Sequence, residues 1–147
     1  MSMFAKVLCP VDFSDVSTTI AEAAREIALG FGSEVLVVHV VPIGTKDQIM
    51  NLPPDLLPKV VNSVVNSAEK KMSDFMVKHF PGVKASGKVI SGDPAHSILD
   101  LSQAEGVDLI VMATHGRHGF NRLVFGSVAE KVVKIATMPV ITIRPRR

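Results

Sequence analysis

Residues 34–41 read Glu34-Val35-Leu36-Val37-Val38-His39-Val40-Val41, an apolar run interrupted only by His39. A strand with one face in water alternates apolar and polar residues, because successive side chains point to opposite faces. This run does not alternate, so it predicts a strand covered on both faces, as in a parallel sheet. The flanks carry the helices such a sheet needs. Upstream, Ser14–Phe31 has helical spacing, with Val16, Ile20, Ala24, Ile27 and Phe31 on one face and Gly30 and Gly32 as stop signals. Before it, Phe4–Val11 is a short apolar strand ending in Pro10-Val11-Asp12. Downstream, Pro42–Pro58 carries Gly44, Pro53, Pro54 and Pro58 and reads as a long loop. Connections longer than about 12–15 residues are uncommon in a compact domain and are often functional.

A long helix follows, with Leu57, Val61, Val64, Ala68, Met72 and Phe75 inward, and Pro81-Gly82 ends it. Val83–Ile90 is a more polar strand, which suits a sheet edge. Gly92-Asp93-Pro94 starts the next helix, with Asp93 as N-cap and Pro94 at the first helical position. Ile98, Leu99 and Leu101 face inward there, and Gly106 stops it. Val107–Thr114 is a strongly apolar central strand. The loop His115–Gly126 leads to a helix over Ser127–Ala136, where Ser127-Val128-Ala129-Glu130 reads as a capping box. Pro139–Ile143 is the last strand, followed by the basic tail Arg144-Pro145-Arg146-Arg147. Strands and helices alternate throughout. The expected fold is a single doubly wound α/β domain over residues 1–147, a five-stranded parallel sheet with helices on both faces.

Composition narrows the function classes. The chain has 147 residues, 47% hydrophobic and 20% charged, an ordinary globular balance. Its net charge of +2 is too near neutral for a general nucleic-acid binder, which needs a basic excess. A single cysteine, Cys9, permits no internal disulfide, so a reducing, cytoplasmic setting is expected. The longest apolar runs fall far short of the roughly 20 residues of a membrane span, and the N-terminus has no long apolar stretch of a signal peptide. His115 and His118 are the nearest approach to a metal-ligand cluster and lack convergent partners. Cys9 and His39 read as packing and structural residues. Met72, Met76, Met112 and Met138 fit core packing.

In open α/β sheets, ligands bind beyond the carboxyl ends of the strands, where the strand order reverses. Three strand ends carry suggestive residues: Pro10-Val11-Asp12, His39-Val40, and Met112-Ala113-Thr114-His115-Gly116. The third runs into a loop rich in Gly, Arg and His that closes with Gly126-Ser127 at a helix start. Orphan N–H groups and the helix dipole make such a start an anion site. Ser127 with Glu130 also suffices as a helix cap without a ligand, and Asp12 as a cap-like contact to the first turn of its own helix. Neither a GxxxxGK[ST] loop nor a GxGxxG fingerprint is present.

These residues resemble the universal stress protein family over nearly the whole chain. Val7-Leu8-Cys9-Pro10-Val11-Asp12-Phe13-Ser14 is similar to that family's first strand and turn, and Ser91-Gly92-Asp93-Pro94 to its third-strand exit. The most specific stretch is Asp108–Glu130, DLIVMATHGRHGFNRLVFGSVAE. The family's nucleotide-binding branch carries G-x2-G-x9-G-[S/T]. Gly116 matches the second glycine, Arg117–Phe125 the spacer, and Gly126-Ser127 the close, while Ala113 replaces the first glycine.

The resemblance implies roles at these positions. Asp12, with the backbone of Pro10 and Val11, would meet the adenosine end. Val40 would offer backbone atoms to the adenine edge, and Met112 and Ala113 would line the ribose side. Gly116, Gly126, Ser127, Val128 and Ala129 would hold phosphates, with Arg117 within reach of them. The implied ligand is ATP, ADP or AMP, with Mg²⁺ accompanying a triphosphate. The strand order would be 3-2-1-4-5, so that the first and fourth strands flank the crevice. Lys46–Pro58 would act as a flap over it. The resemblance also implies a homodimer through the C-terminal strand.

Three functions compete on this reading. The first is a regulatory, adenine-nucleotide-binding stress-response protein. The second is a slow ATP hydrolase of the same fold, disfavoured because Asp12 is the lone acidic strand-end residue near the phosphates and no general base is placed. The third is an interaction module with an empty site, disfavoured because the glycine pattern is largely intact.

Overall fold

The computed structural model describes residues 3–42, 53–115 and 126–144. Five strands form one sheet: β1 (Lys6–Pro10), β2 (Glu34–Pro42), β3 (Ala85–Gly92), β4 (Leu109–Ala113) and β5 (Val140–Ile143). Their order is β3-β2-β1-β4-β5, and every neighbouring pair is parallel. The expected fold and strand order are those observed.

The pleat explains the two-sided core. Val7 and Cys9 of β1, Val35 and Val37 of β2, and Leu109 and Val111 of β4 face one side. Leu8, Leu36, Val38, Ile110 and Met112 face the other. Helices cover both. On the first side lie α1 (Asp15–Phe31) and α2 (Leu57–His79), through Ile20, Ala21, Ala24, Ala28, Met72 and Phe75. On the second lie α3 (Pro94–Ala104) and α4 (Ser127–Ile135), through Ala95, Ile98, Leu99, Ala129 and Val132. Cys9, Met72 and Met112 are buried as packing residues.

Caps follow the local chemistry. Asp93 precedes α3, and its carboxylate accepts from the His96 N–H at 3.0 Å. Gly32 ends α1 with φ 69°, a left-handed conformation that glycine adopts without a Cβ penalty, and its N–H donates to the Ala28 carbonyl. At the amino ends of the central strands, Lys6 Nζ lies 3.2 Å from Glu105, and Lys84 Nζ 3.1 Å from Glu34. Hydrogen bonding and charge from Lys6, then Lys88, hold the Glu105 carboxyl below its ordinary range.

β1 begins at Lys6 rather than Phe4, β4 spans Leu109–Ala113 rather than Val107–Thr114, and four further details differ from expectation. β3 lies two residues later than Val83–Ile90, because the chain from Pro81 to Lys84 is spent on the turn after α2. Pro58 lies in the first turn of α2, where its missing N–H costs nothing, so the preceding connection is shorter than Pro42–Pro58. Phe31 and Val64 fit the helical spacing but are 53% and 46% exposed; Phe31 ends α1, its ring edge-on to Phe4 at 5.4 Å. Ser127 is the first residue of α4 rather than its cap; Gly126 holds the cap position, with extended dihedrals and no side-chain bond.

Candidate functional site

β1 is the strand at which the order reverses, with β2 on one side and β4 on the other. Beyond its end the Val11 N–H still donates to the Val38 carbonyl at 2.8 Å. β2 then continues to Pro42 while pairing only with β3, so a crevice opens beside its last residues. Main-chain polar groups of alternate residues in a parallel strand face the same neighbour. Glu34 N–H and the Val38 carbonyl bond to the β1 side, so by parity those of Val40 face the crevice. Ile110 and Thr114 donate toward β5, so by the same parity Ala113 faces the β1 side. The buried side chains of Val40 and Met112 lie under the crevice, on the α3–α4 face.

Asp12 follows directly, and its carboxylate is well held. Oδ1 accepts from the Ser14 N–H at 2.9 Å, from the Ser14 hydroxyl, and from the Ser17 hydroxyl at 2.9 Å. The Asp12 N–H donates to Ser17 Oγ at 3.0 Å. The cap-like contact to the start of α1 is therefore real. Ser14 and Ser17 are partners that the sequence reading missed, although hydroxyls two and five residues after an Asp are the signal of such a turn. The bland reading of His39 also holds: its Nδ1 lies 2.8 Å from the Val11 carbonyl.

On the other wall, Thr114 ties three segments together. Its N–H donates to the Ile143 carbonyl at 3.0 Å, its carbonyl accepts from Gly126 at 2.8 Å, and its hydroxyl meets His115 Nδ1 at 3.0 Å. The Gly126 N–H is thus engaged. The first helical bond of α4 is Glu130 N–H to Gly126 carbonyl, so the N–H groups of Ser127, Val128 and Ala129 have no intrahelical acceptor. Ser127 is exposed, Val128 half-buried and Ala129 buried.

Gly116 and Arg117 lie outside the described residues, as do residues 46–52 of the expected flap. Among the described residues, no group of three or more His, Cys, Asp or Glu could hold a metal ion. No helix among them is long and apolar enough to cross a membrane. An open groove between α2 and β3, lined by Met72, Met76, Gly87 and Lys88, lies on another edge of the sheet.

This architecture defines a class: a doubly wound α/β domain with a crevice between an acidic turn and a helix N-terminus. Comparison with known proteins narrows it. The profile of the universal stress protein family matches residues 3–144, and the chain belongs to that family. Universal stress protein MJ0531 of Methanocaldococcus jannaschii is 33% identical, over 97% of this chain and 84% of its own. Universal stress protein YxiE of Bacillus subtilis is 31% identical, over 97% and 100%. Among solved structures, the hypothetical protein MJ0577 superposes with a TM-score of 0.86 at 25% identity, covering 99% of each chain. A universal stress protein from Archaeoglobus fulgidus, solved in complex with dAMP, matches with a TM-score of 0.58 at 23% identity, covering 95% of this chain and 98% of its own. That last likeness is one of fold.

Proposed function

We propose that this chain is a cytoplasmic, adenine-nucleotide-binding regulatory protein of the nucleotide-binding branch of its family, with residues 1–147 as one binding domain. The observation that carries the reading is the juxtaposition at the point of strand reversal. β1 ends in the held Asp12 turn, and its neighbour β4 ends at Thr114, whose carbonyl anchors the start of α4. Such a crevice suits a ligand that is aromatic at one end and anionic at the other.

On this reading the backbone of Val40 meets the adenine edge, Pro10, Val11 and Asp12 the adenosine, and Met112 and Ala113 the ribose. The phosphates lie at the N–H groups of Ser127, Val128 and Ala129, with Gly116 and Arg117 completing the loop. Gly126 serves as the close-approach point. Its own N–H bonds to the Thr114 carbonyl, so on this reading the anion lies one residue further along than the motif suggests. Mg²⁺ accompanies a triphosphate. Support also comes from a protein of the same fold solved with dAMP. We read the site as one that holds a nucleotide, with the Asp12 Oδ1 atom committed to fixing its own turn through Ser14 and Ser17.

The test is calorimetric titration with ATP, ADP and AMP, with and without Mg²⁺, on the wild type and Gly126→Val. A valine there puts a branched side chain at the approach to the phosphates, and the observed φ of −61° permits it. Wild-type binding and its loss in a folded Gly126→Val is the expected result. A folded Gly126→Val that binds like the wild type sinks the phosphate assignment. A phosphate-release assay with ATP separates holding from hydrolysis.

A further inference from the structure

Phe13, immediately after Asp12, has φ 63°, the one positive value at a non-glycine position among the described residues. A side chain with a Cβ rarely sits there, and the conformation persists only where its surroundings hold it. Aromatic packing holds Phe13. Its ring lies 4.6 Å from the His39 ring and 5.7 Å from that of Phe75, edge-on at 72°. Phe75 is buried on α2 and also contacts His79 and Phe80. His39 in turn bonds to the Val11 carbonyl, on the other side of Asp12 in sequence. Asp12 therefore sits between two positions gripped from outside: Val11 by β2, and Phe13 by β2 and α2 together.

We propose that Phe13 is a positioning residue of the nucleotide site: seated on His39 and Phe75, it fixes the turn that presents Asp12 and makes α2 a determinant of affinity. The inference rests on the nucleotide reading above. Phe13 packs into the α1–α2 core, so it acts through the turn. Phe75 lies on a different helix, and its ring contact with Phe13 gives a change there a direct route to the turn.

The full chain is compared with Phe13→Asn, Phe13→Tyr and Phe75→Leu. Asn accepts positive φ, so Phe13→Asn removes the ring and leaves the backbone conformation accessible. One readout is amide exchange of Ser14, whose N–H bonds to Asp12, measured without nucleotide. The other is the Kd for AMP and ATP at a temperature where melts show each variant folded. Phe13→Asn should speed Ser14 exchange and weaken binding about tenfold, the upper end of what an aromatic pair contributes. The buried Val37 amide should change no more than the loss of global stability accounts for. Phe75→Leu should show both effects more weakly, and Phe13→Tyr should restore both. A lower melting temperature with unchanged Ser14 exchange and unchanged Kd overturns the proposal, because Phe13 is then only core. If the wild type binds no nucleotide, the functional reading fails, and Ser14 exchange still decides the grip on the turn: faster exchange in Phe13→Asn supports it, unchanged exchange overturns it.

Discussion

Cys9 has no exposed surface, and burial pushes its thiol up to about 12. The thiolate is the reactive form, so a buried thiol with a raised pKa is inert. In the folded protein Cys9 should give no reaction with Ellman's reagent at pH 8, and one thiol should appear on denaturation. The same shift has a stability consequence. The native state keeps its proton to higher pH than the unfolded chain, so this contribution is complete below about pH 9 and falls as pH rises toward 12. Urea midpoints at pH 8 and pH 10 should decline in that direction. At the site, two substitutions separate cap from ligand contact. Ser127 is exposed and caps nothing, so Ser127→Ala should change stability by less than about 0.5 kcal/mol. Asp12 accepts from Ser14 and Ser17, so Asp12→Ala should cost about 1–3 kcal/mol, read by thermal melts, besides weakening nucleotide binding. A melt unchanged in Asp12→Ala would mean the turn is held by Phe13 and His39 alone.

Among the elements, α2 and β3 approach each other closely at one point of their seam, Gly87. A Cβ at Gly87 would lie 2.6 Å from Met72 Cγ, 2.8 Å from its Sδ and 3.1 Å from Met76 Cγ. Met72 is buried against the sheet, and its Cγ lies near the root of the side chain, so relief requires the whole side chain to turn. Gly87→Ala should therefore destabilise by about 1–3 kcal/mol through overpacking, despite the better strand propensity of alanine. Chemical denaturation checks it; a stability equal to wild type would show that α2 shifts freely on the sheet. This seam also shows what sequence carries and what it does not. The non-alternating Val and Leu of β2 announced a strand buried on both faces, and Asp93-Pro94 announced the start of α3, because both signals are local. The close approach at Gly87 depends on which helix crosses which strand, and no period encodes that. The site divides the same way. Asp12 and Gly126-Ser127 were legible from their places at strand and helix ends. The grip of Ser17, Phe75 and Thr114 on those residues arises only when separate elements meet. The misplaced cap at Ser127 has a similar cause: the Thr114 carbonyl draws Gly126 into the cap position.

At the scale of the whole molecule, the sheet has two open edges, and they are not alike. β3 carries Ser86 and Lys88, both exposed, and Lys on an edge discourages pairing with another chain. β5 reads Val140-Ile141-Thr142-Ile143, has no charge, and leaves Ile141 40% exposed. Only its inner side is paired, to β4. An uncharged apolar edge is a template for pairing, and a second copy across a two-fold axis would complete it strand against antiparallel strand. We propose a homodimer through β5, in which the two sheets join into one and the two crevices lie at opposite ends of its strands. The choice of variant matters here. Val140 packs into the α3–α4 core, so a charge there would damage the fold, whereas Ile141 points outward. Ile141→Lys should leave the monomer folded and shift the dimer toward monomer, because the two-fold brings two like charges together. Light scattering at tens of micromolar checks both parts. A monomeric wild type would remove the β5 interface, and an Ile141→Lys protein that stays fully dimeric would move the contact to another surface.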